Sequence, residues 1–409
     1  MPVVNITAAL PGNHFEPSIA VNSVLANFMC VVYVDDSLGT GRIGVSRSTD
    51  GGQTWASAIL PQPSGYASAE APTIDYTFPN TFIVACHVYN DFNDGTIVSY
   101  TSFDNGANFN PPVIVQRGYG TIIHNDEPFI AVDRSPGSPY RGNAYVSYTP
   151  LFNYSAIFIQ RSLNEGASWE TPQRLSDPRG FHDRAAVAIG LSGEVYSGYI
   201  LTGPVNPEAN LRISYNGGVS YYPDIARESL LISSVVPVPS PLPVTGYGFR
   251  VQTNLTLGAD ISSGLGSGNV YAAWNDYRNG YADIFLSISP DGQLWSIPKS
   301  ITGAPPGTQN FFPAITVSPS TGTVRVIYYT NRVNGFLLDV FVAESFNGGG
   351  SFTNRRLTDA SFDPNGNFPT PVALIGDYIT AATSLPDTLA AVWNATTPPT
   401  GKQDIYFST

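Results

Sequence analysis

The chain has 409 residues, 31 of them acidic and 19 basic, for a formal net charge of −12. That balance opposes a nucleic-acid partner, whose electrostatic footprint is basic. No apolar run reaches the ~20 residues of a membrane-spanning helix, and the N-terminal MPVVNITAAL lacks the charged-then-apolar order of a secretory leader.

Read from the N-terminus, the chain opens on VVNITAALPG from Val3, a strand-like run with no strand before it. A cycle then begins. PSIAVN from Pro17 reads as an inner strand, CVVYVDD from Cys30 as a second, RIGVSRS from Arg42 as a third, and STDGGQTW at 48–55 as a turn. The second cycle is APTID from Ala71, FIVACHVY from Phe82, TIVSYTS from Thr96 and SFDNGANF at 102–109. The third is PFIAVD from Pro128, NAYVSYT from Asn143, AIFIQRS from Ala156 and SLNEGASW at 162–169. The fourth is RAAVAIG from Arg184, EVYSGYI from Glu194, LRIS from Leu211 and SYNGGVSY at 214–221. A Pro/Val/Ser-rich stretch at 230–245 follows, expected as a loop or an extra strand.

The fifth cycle is LTLGAD from Leu255, NVYAAWND from Asn269, DIFLSIS from Asp283 and a shortened turn, SPDGQLW, at 289–295. The sixth is PAITVS from Pro313, TVRVIYYT from Thr323, DVFVAES from Asp339 and SFNGGGSF at 345–352. The seventh has YITAAT from Tyr378 and LAAVWN from Leu389, then stops at DIYFST from Asp404. These are runs of β-branched, small and aromatic residues between Gly, Pro, Asn and Asp, with no long helical period.

The unfinished last cycle and the orphan N-terminal run complete one another. The expectation is an all-β, seven-bladed β-propeller of four-stranded antiparallel blades, a single domain over 1–409, with residues 3–10 pairing with 404–409 to close the last blade. Such closure removes sheet edges and ties down both termini.

The recurrent phrase is Ser-x-Asp/Asn-x-Gly-x-x-aromatic, at a period of about 50 to 75 residues, the mark of an array of similar units. Its Asp or Asn can bond backbone N–H groups further along, and its Gly takes a positive φ without a steric cost. The aromatic starts the next strand and anchors it. The phrase resembles the Asp-box, or bacterial neuraminidase repeat, of the sialidase superfamily. The resemblance covers nearly the whole chain and implies an Asp-box propeller whose boxes lie on the outer rim. Sialidase enzymes have six blades, so six is the alternative count that the resemblance brings.

In a propeller, loops entering inner strands and loops leaving second strands meet on one face. Polar residues at those places are the candidate site. His14 and Glu16 lie in NHFEP, Glu70 in SAEAP, His124, Asp126 and Glu127 in HNDEP, and His182, Asp183 and Arg184 in FHDRA. Arg250 lies in GFRVQTN, and Asp377 and Tyr378 in GDYIT. Asp35, His87, Asp91, Arg278 and Arg332 leave second strands. All four histidines of the chain fall in this set, and they are expected to open onto one axial funnel, His87 farther out than the rest. A concave pocket of such groups suits shifted pKa values and a bound ligand.

The resemblance implies an arginine triad for a sugar carboxylate, a Tyr nucleophile and an Asp acid. Where its first arginine is expected, this chain has Phe15-Glu16-Pro17. Arg184, Arg250, Arg278 and Arg332 are left to form a cationic sector. Tyr378 is the candidate nucleophile, and Asp35, Asp126, Glu127 and Asp183 are candidate acids or bases. His14, Glu16, Glu70, His87, His124, His182 and the four arginines are candidate ligand contacts. A divalent metal held by His and carboxylate stays open, without a metal motif to support it.

A glycan or glycoconjugate is the expected partner, at an extracellular or surface location. Three readings stand: carbohydrate recognition, an exo-acting sialidase-like glycoside hydrolase, and a structural or protein-binding surface component. Cys30 and Cys86 read as buried thiols or one disulfide, and Asn5, Asn153, Asn254 and Asn394 begin glycosylation sequons.

Overall fold

A computed structural model describes residues 2–90, 94–120, 122–151, 155–176, 181–202, 206–366 and 375–409. They form seven four-stranded antiparallel sheets, so the count is seven blades and not six. Blade 1 runs outward from His14–Val21 through Met29–Asp35 and Arg42–Ser48 to Ala56–Ile59. The inner strands of blades 2 to 7 are Ser68–Thr77, His124–Val132, Phe181–Ile189, Leu255–Ala259, Asn310–Val317 and Thr380–Ser384. Burial falls outward. Every residue of Met29–Asp35 is buried, and every residue of Ala56–Ile59 is exposed. The apolar clusters lie between neighbouring blades, as the one that joins Ala20, Val32 and Val45 of blade 1 to Ile74, Phe82 and Val84 of blade 2.

Inner strands are also clasped by side-chain hydroxyls. Ser18 accepts the N–H of Ile74 at 3.1 Å, Thr73 that of Ile130 at 3.2 Å and Thr380 that of Ile19 at 2.9 Å. Each link joins one blade to the next. It consumes a strand N–H that no ladder would satisfy.

The Asp-boxes form the expected turns. In blade 2, Asn108 N–H donates to Asp104 Oδ1 at 2.9 Å and Gly106 N–H to Ser102 Oγ at 2.9 Å. The boxes also rivet blades together, which periodicity alone does not reveal. A Cβ on Gly106 would lie 2.1 Å from Cys30 Sγ in blade 1, and one on Gly52 would lie 2.2 Å from the Phe407 ring in blade 7. The box Gly is therefore required twice, for its positive φ and for close approach to the preceding blade.

Blade 7 closes with the N-terminal strand, in the order Val4–Asn5, Lys402–Ser408, Thr388–Thr397, Thr380–Ser384. The paired strand is shorter than the expected 3–10. Val4 faces Phe407 and Asn5 faces Tyr406, and then the chain turns. Thr7 Oγ1 donates to Asp404 Oδ1 at 2.9 Å, and Lys402 Nζ donates to the carbonyls of Thr7 and Leu10. These side chains satisfy the turn in place of a ladder.

The stretch at 230–245 divides. Leu230–Ser234 is the outer strand of blade 4, and the rest crosses inward to blade 5. Its Val238 and Leu242 pack with Tyr247, Phe249 and Val251 against Phe311, Tyr329 and Trp393 of blades 6 and 7. Cys30 and Cys86 are buried free thiols. Asn254 and Asn394 are buried, so these two sequons are structural amides, and Asn153 lies outside the described residues. Among the described residues no helix is long and apolar enough to cross a membrane.

Candidate functional site

Five inner strands enter their blades through the same irregularity. Pairing slips between Phe15 and Ser18, Glu70 and Thr73, Asp126 and Phe129, Asp183 and Ala185, and Phe311 and Ala314. At these bulges Glu16, Ala71, Glu127, Arg184 and Phe312 have φ of 56°, 49°, 50°, 31° and 51°. A non-glycine residue in the left-handed region is strained, and four of these five precede a proline, which favours extended backbone instead. Bulges re-aim side chains, and strain of this kind gathers at functional sites. Here it sets Glu16, Glu127 and Arg184 around one end of the propeller axis. Below them runs an axial cavity of about 420 Å³, walled by the inner strands, with Glu127, Arg184, Asn254 and Tyr378 among its lining.

One side of this mouth is built by blades 2 and 3. His87 Nδ1 lies 3.0 Å from Asp126 Oδ1, within ion-pair distance. His124 Nε2 lies 3.8 Å from Asp126 Oδ2. Glu127 N–H donates to Asp126 Oδ1 at 2.7 Å, and Tyr89 donates to Glu70 Oε1 at 2.5 Å. Burial opposes a charge on His87, but Asp126, Glu70 and Glu16 outweigh it and push its pKa up to about 9. Burial likewise opposes ionisation of Asp126, but His87 and His124 hold its carboxyl well below the usual range.

The opposite side comes from blades 3, 4, 5 and 7. Arg184 Nη2 pairs with Glu127 Oε1 at 3.0 Å, and its guanidinium carbon lies 4.8 Å from the Tyr378 ring centre. Arg250 forks onto Asp377, with Nε 3.1 Å from Oδ1 and Nη2 on Oδ2. Asn254 Nδ2 donates to the Asp377 carbonyl at 2.7 Å. A Cβ on Gly376 would lie 3.0 Å from Glu16 N, so glycine lets Asp377 approach Glu16. Burial pushes Asp377 upward, against the pull of Arg250 and Arg184.

Glu16 stands among these groups. It is 7 % exposed, and its Oε2 accepts the Ala71 N–H at 3.2 Å. Burial first, then Asp377 and Glu70, push its pKa up to about 8 against the pull of Arg184. Glu16 therefore keeps its proton to a higher pH than Asp126 does.

The expected common funnel does not gather every candidate. His14 is wholly buried, between Asp35 Oδ2 at 3.3 Å and Asp404 Oδ1 at 3.6 Å. It sits directly opposite Asp35 in blade 1, and the pair faces blade 7 rather than the axis. His14 and Asp35 thus belong to the closing seam, while His87, expected farther out, is at the mouth. Arg278 and Arg332 turn outward as well. Arg278 pairs with Asp276 at 2.6 Å and lies over Phe285, and Arg332 bonds Tyr328 and lies over Phe341. Tyr378 is at the mouth, but its hydroxyl donates to the Pro72 carbonyl at 2.8 Å and burial raises its pKa well above the usual value. His182 and Asp183 lie on the inner strand of blade 4, with side chains outside the described residues, as is Asp91. Asp377, collected from the sequence without a role, joins both arginines. Its Gly-Asp-Tyr context was the available signal.

Among the described residues, one His/carboxylate group has metal-ligand spacing: ligand atoms of His87, His124 and Asp126 lie within 4.8 Å of one another. The tautomer opposes a metal. Gly95 N–H donates to His124 Nδ1 at 3.1 Å, which leaves the ring proton on Nε2, the nitrogen that faces Asp126. Ligating histidines keep the reverse arrangement, with the outer nitrogen donating.

No family model and no curated protein matches the chain. Solved structures match over its length. The α-L-arabinofuranosidase of family GH93 from Fusarium graminearum, in complex with arabinobiose, aligns with TM-score 0.53 and 13 % identity, over 100 % of this chain and 97 % of that one. The Hadza microbial sialidase Hz136 aligns with TM-score 0.54 and 12 % identity, over 95 % and 74 %. The leech intramolecular trans-sialidase aligns with TM-score 0.54 and 11 % identity, over 88 % and 70 %. At these identities the likeness is one of fold alone: the chain shares a β-propeller architecture with these proteins.

Proposed function

We propose that the protein binds a glycan at the axial mouth and hydrolyses a glycosidic bond there, with Glu16 as the proton donor and Asp126 as the ionised carboxylate. The observation that carries this reading is the pair itself. Two carboxyls brought to one mouth by a strained bulge and an adjacent blade have opposite environments. Glycoside hydrolysis needs one carboxyl that keeps its proton near neutral pH and one that has lost it. Burial among anions keeps the proton on Glu16. The two histidines and the Glu127 N–H keep Asp126 ionised, to oppose the positive charge that develops on the sugar ring. The fold likeness to an α-L-arabinofuranosidase in complex with arabinobiose and to a sialidase supports a carbohydrate substrate.

A panel of aryl glycosides and arabino-oligosaccharides tests the reading. Turnover is expected on at least one of them, reduced about 10²- to 10⁴-fold in kcat by Glu16→Gln with KM nearly unchanged. The second reading, glycan recognition without turnover, is favoured by the burial of Glu16, which leaves little surface for a leaving group. Binding on a glycan array without turnover of any bound glycan selects it. Neither binding nor turnover excludes both.

A further inference from the structure

Arg184 and Arg250 stand on the same side of the mouth, from blade 4 and from the segment entering blade 5. Both reach residue 377: Arg250 forks onto its carboxylate, and Arg184 Nη1 donates to its carbonyl at 3.4 Å. Arg184 Nε is buried and has no acceptor. Two converging guanidiniums with a spare N–H form the arrangement that grips a carboxylate. In this protein two carboxylates of the chain itself already occupy it, Asp377 on Arg250 and Glu127 on Arg184.

We propose that Glu127 and Asp377 are specificity determinants: they mask the Arg184–Arg250 pair, exclude acidic sugars from the mouth and restrict it to neutral glycans. The proposal rests on reading the mouth as a carbohydrate site. Three observations support it. The Arg250 side chain is 41 % exposed while Asp377 is 6 % exposed, so an incoming anion meets the arginine from outside but must strand a buried carboxylate to take it. Glu127 stands at a left-handed bulge before Pro128, which aims its side chain, and Arg184 Nη2 holds its carboxylate at 3.0 Å. Every cationic group of the mouth among the described residues, His87, Arg184 and Arg250, is paired with a carboxylate.

The test is the binding of free N-acetylneuraminate and glucuronate, beside galactose and arabinose, to the wild type, Glu127→Gln and Asp377→Asn, by calorimetry. The wild type is expected to bind both acids more weakly than the neutral sugars. Each variant uncovers one guanidinium and should bind the acids at least about tenfold more tightly than the wild type, with an affinity that falls as salt rises. Arg250→Ala added to Asp377→Asn should remove the gain. Melting curves identify which variants are folded, and the two single changes uncover different arginines, so one folded variant suffices. Acid binding by the wild type equal to that of the neutral sugars overturns the proposal. So does a folded variant that gains nothing, the result a purely structural ion pair would give. Failure of the glycan reading looks different: no neutral sugar binds and no glycoside turns over, while the acid gain can still be measured.

Discussion

The closing seam and the axial mouth use the same residue types to opposite ends. At the seam His14 lies between Asp35 and Asp404, and at the mouth His87 and His124 flank Asp126. The difference is in what surrounds the carboxylates. Asp404 is served by Lys402 at 2.7 Å, Thr397 at 2.7 Å, Thr7 at 2.9 Å and Asn5 at 3.2 Å, so although burial opposes its charge, these partners and His14 hold its pKa far below the usual range. Glu16 at the mouth has one backbone donor, and burial first, then the carboxyls around it, raise its pKa. Full compensation makes a structural clamp; incomplete compensation leaves a group whose proton is poised to move.

The sharpest way to break this comparison is Glu16→Gln. It should lower turnover by the largest factor of any change considered, about 10²- to 10⁴-fold, and leave the melting temperature at neutral pH equal or higher, because a buried acid is replaced by a neutral isostere. A large loss of stability would make Glu16 a structural residue like Asp404.

The mirror-image change is Asp404→Ala. Removing one partner of a buried ion pair costs about 3 kcal/mol or more. Thermal or urea unfolding should show this loss, while kcat and KM stay within about twofold of the wild type. A loss of activity in the folded variant would show that the seam and the mouth are coupled.

Stability against pH sharpens the contrast between the carboxyls of the two regions, which act with opposite signs. His14 has a raised pKa: burial opposes its charge, and Asp35 and Asp404 outweigh that. Its contribution is therefore complete below the ordinary histidine value near 6.5 and is lost as pH rises through the higher folded value. Asp35 and Asp404 have lowered values, so their contribution is present above the usual carboxylate range and is lost as pH falls through the folded ones. Glu16 binds its proton more tightly when folded, so it erodes stability as pH rises from its ordinary value of 4.5 to about 8. Unfolding midpoints between pH 4 and pH 9, roughly the span of these groups, should decline less steeply on the alkaline side in Glu16→Gln than in the wild type. Equal slopes would remove the raised Glu16 from the argument.

The smallest effect is expected from Arg278→Ala and Arg332→Ala. Both side chains are engaged with aromatics of the third strands, away from the axis. Turnover should change by less than about twofold, with a modest loss of stability from the lost packing. A tenfold loss in either would return that arginine to the site.

Much of this architecture was legible because it repeats. A turn phrase recurring in register, with alternating strands between copies, leaves few ways to bury the apolar faces, and two incomplete ends in one array must complete each other. The same reading fell short where one residue serves two blades. Nothing in SFDNGANF marks Gly106 as the contact for Cys30, since that depends on how adjacent sheets stack.

The site divides in the same way. Local sequence was enough to place the polar residues at the ends of inner and second strands, because strand alternation and turn chemistry act over a few residues. It could not sort His14 from His87, or Arg250 from Arg278. Both members of each pair sit in similar loops, and only the stacking of the blades decides which side chain meets the axis and which meets a neighbour. Asp377 shows this most plainly. It finds Arg250, 127 residues before it in the chain, because a left-handed bulge and a glycine bring three blades to one point. The charges were written in the sequence; their pairing, and hence which carboxyl keeps its proton, was decided by the closed ring, since electrostatic energy depends on distances that the chain order does not contain.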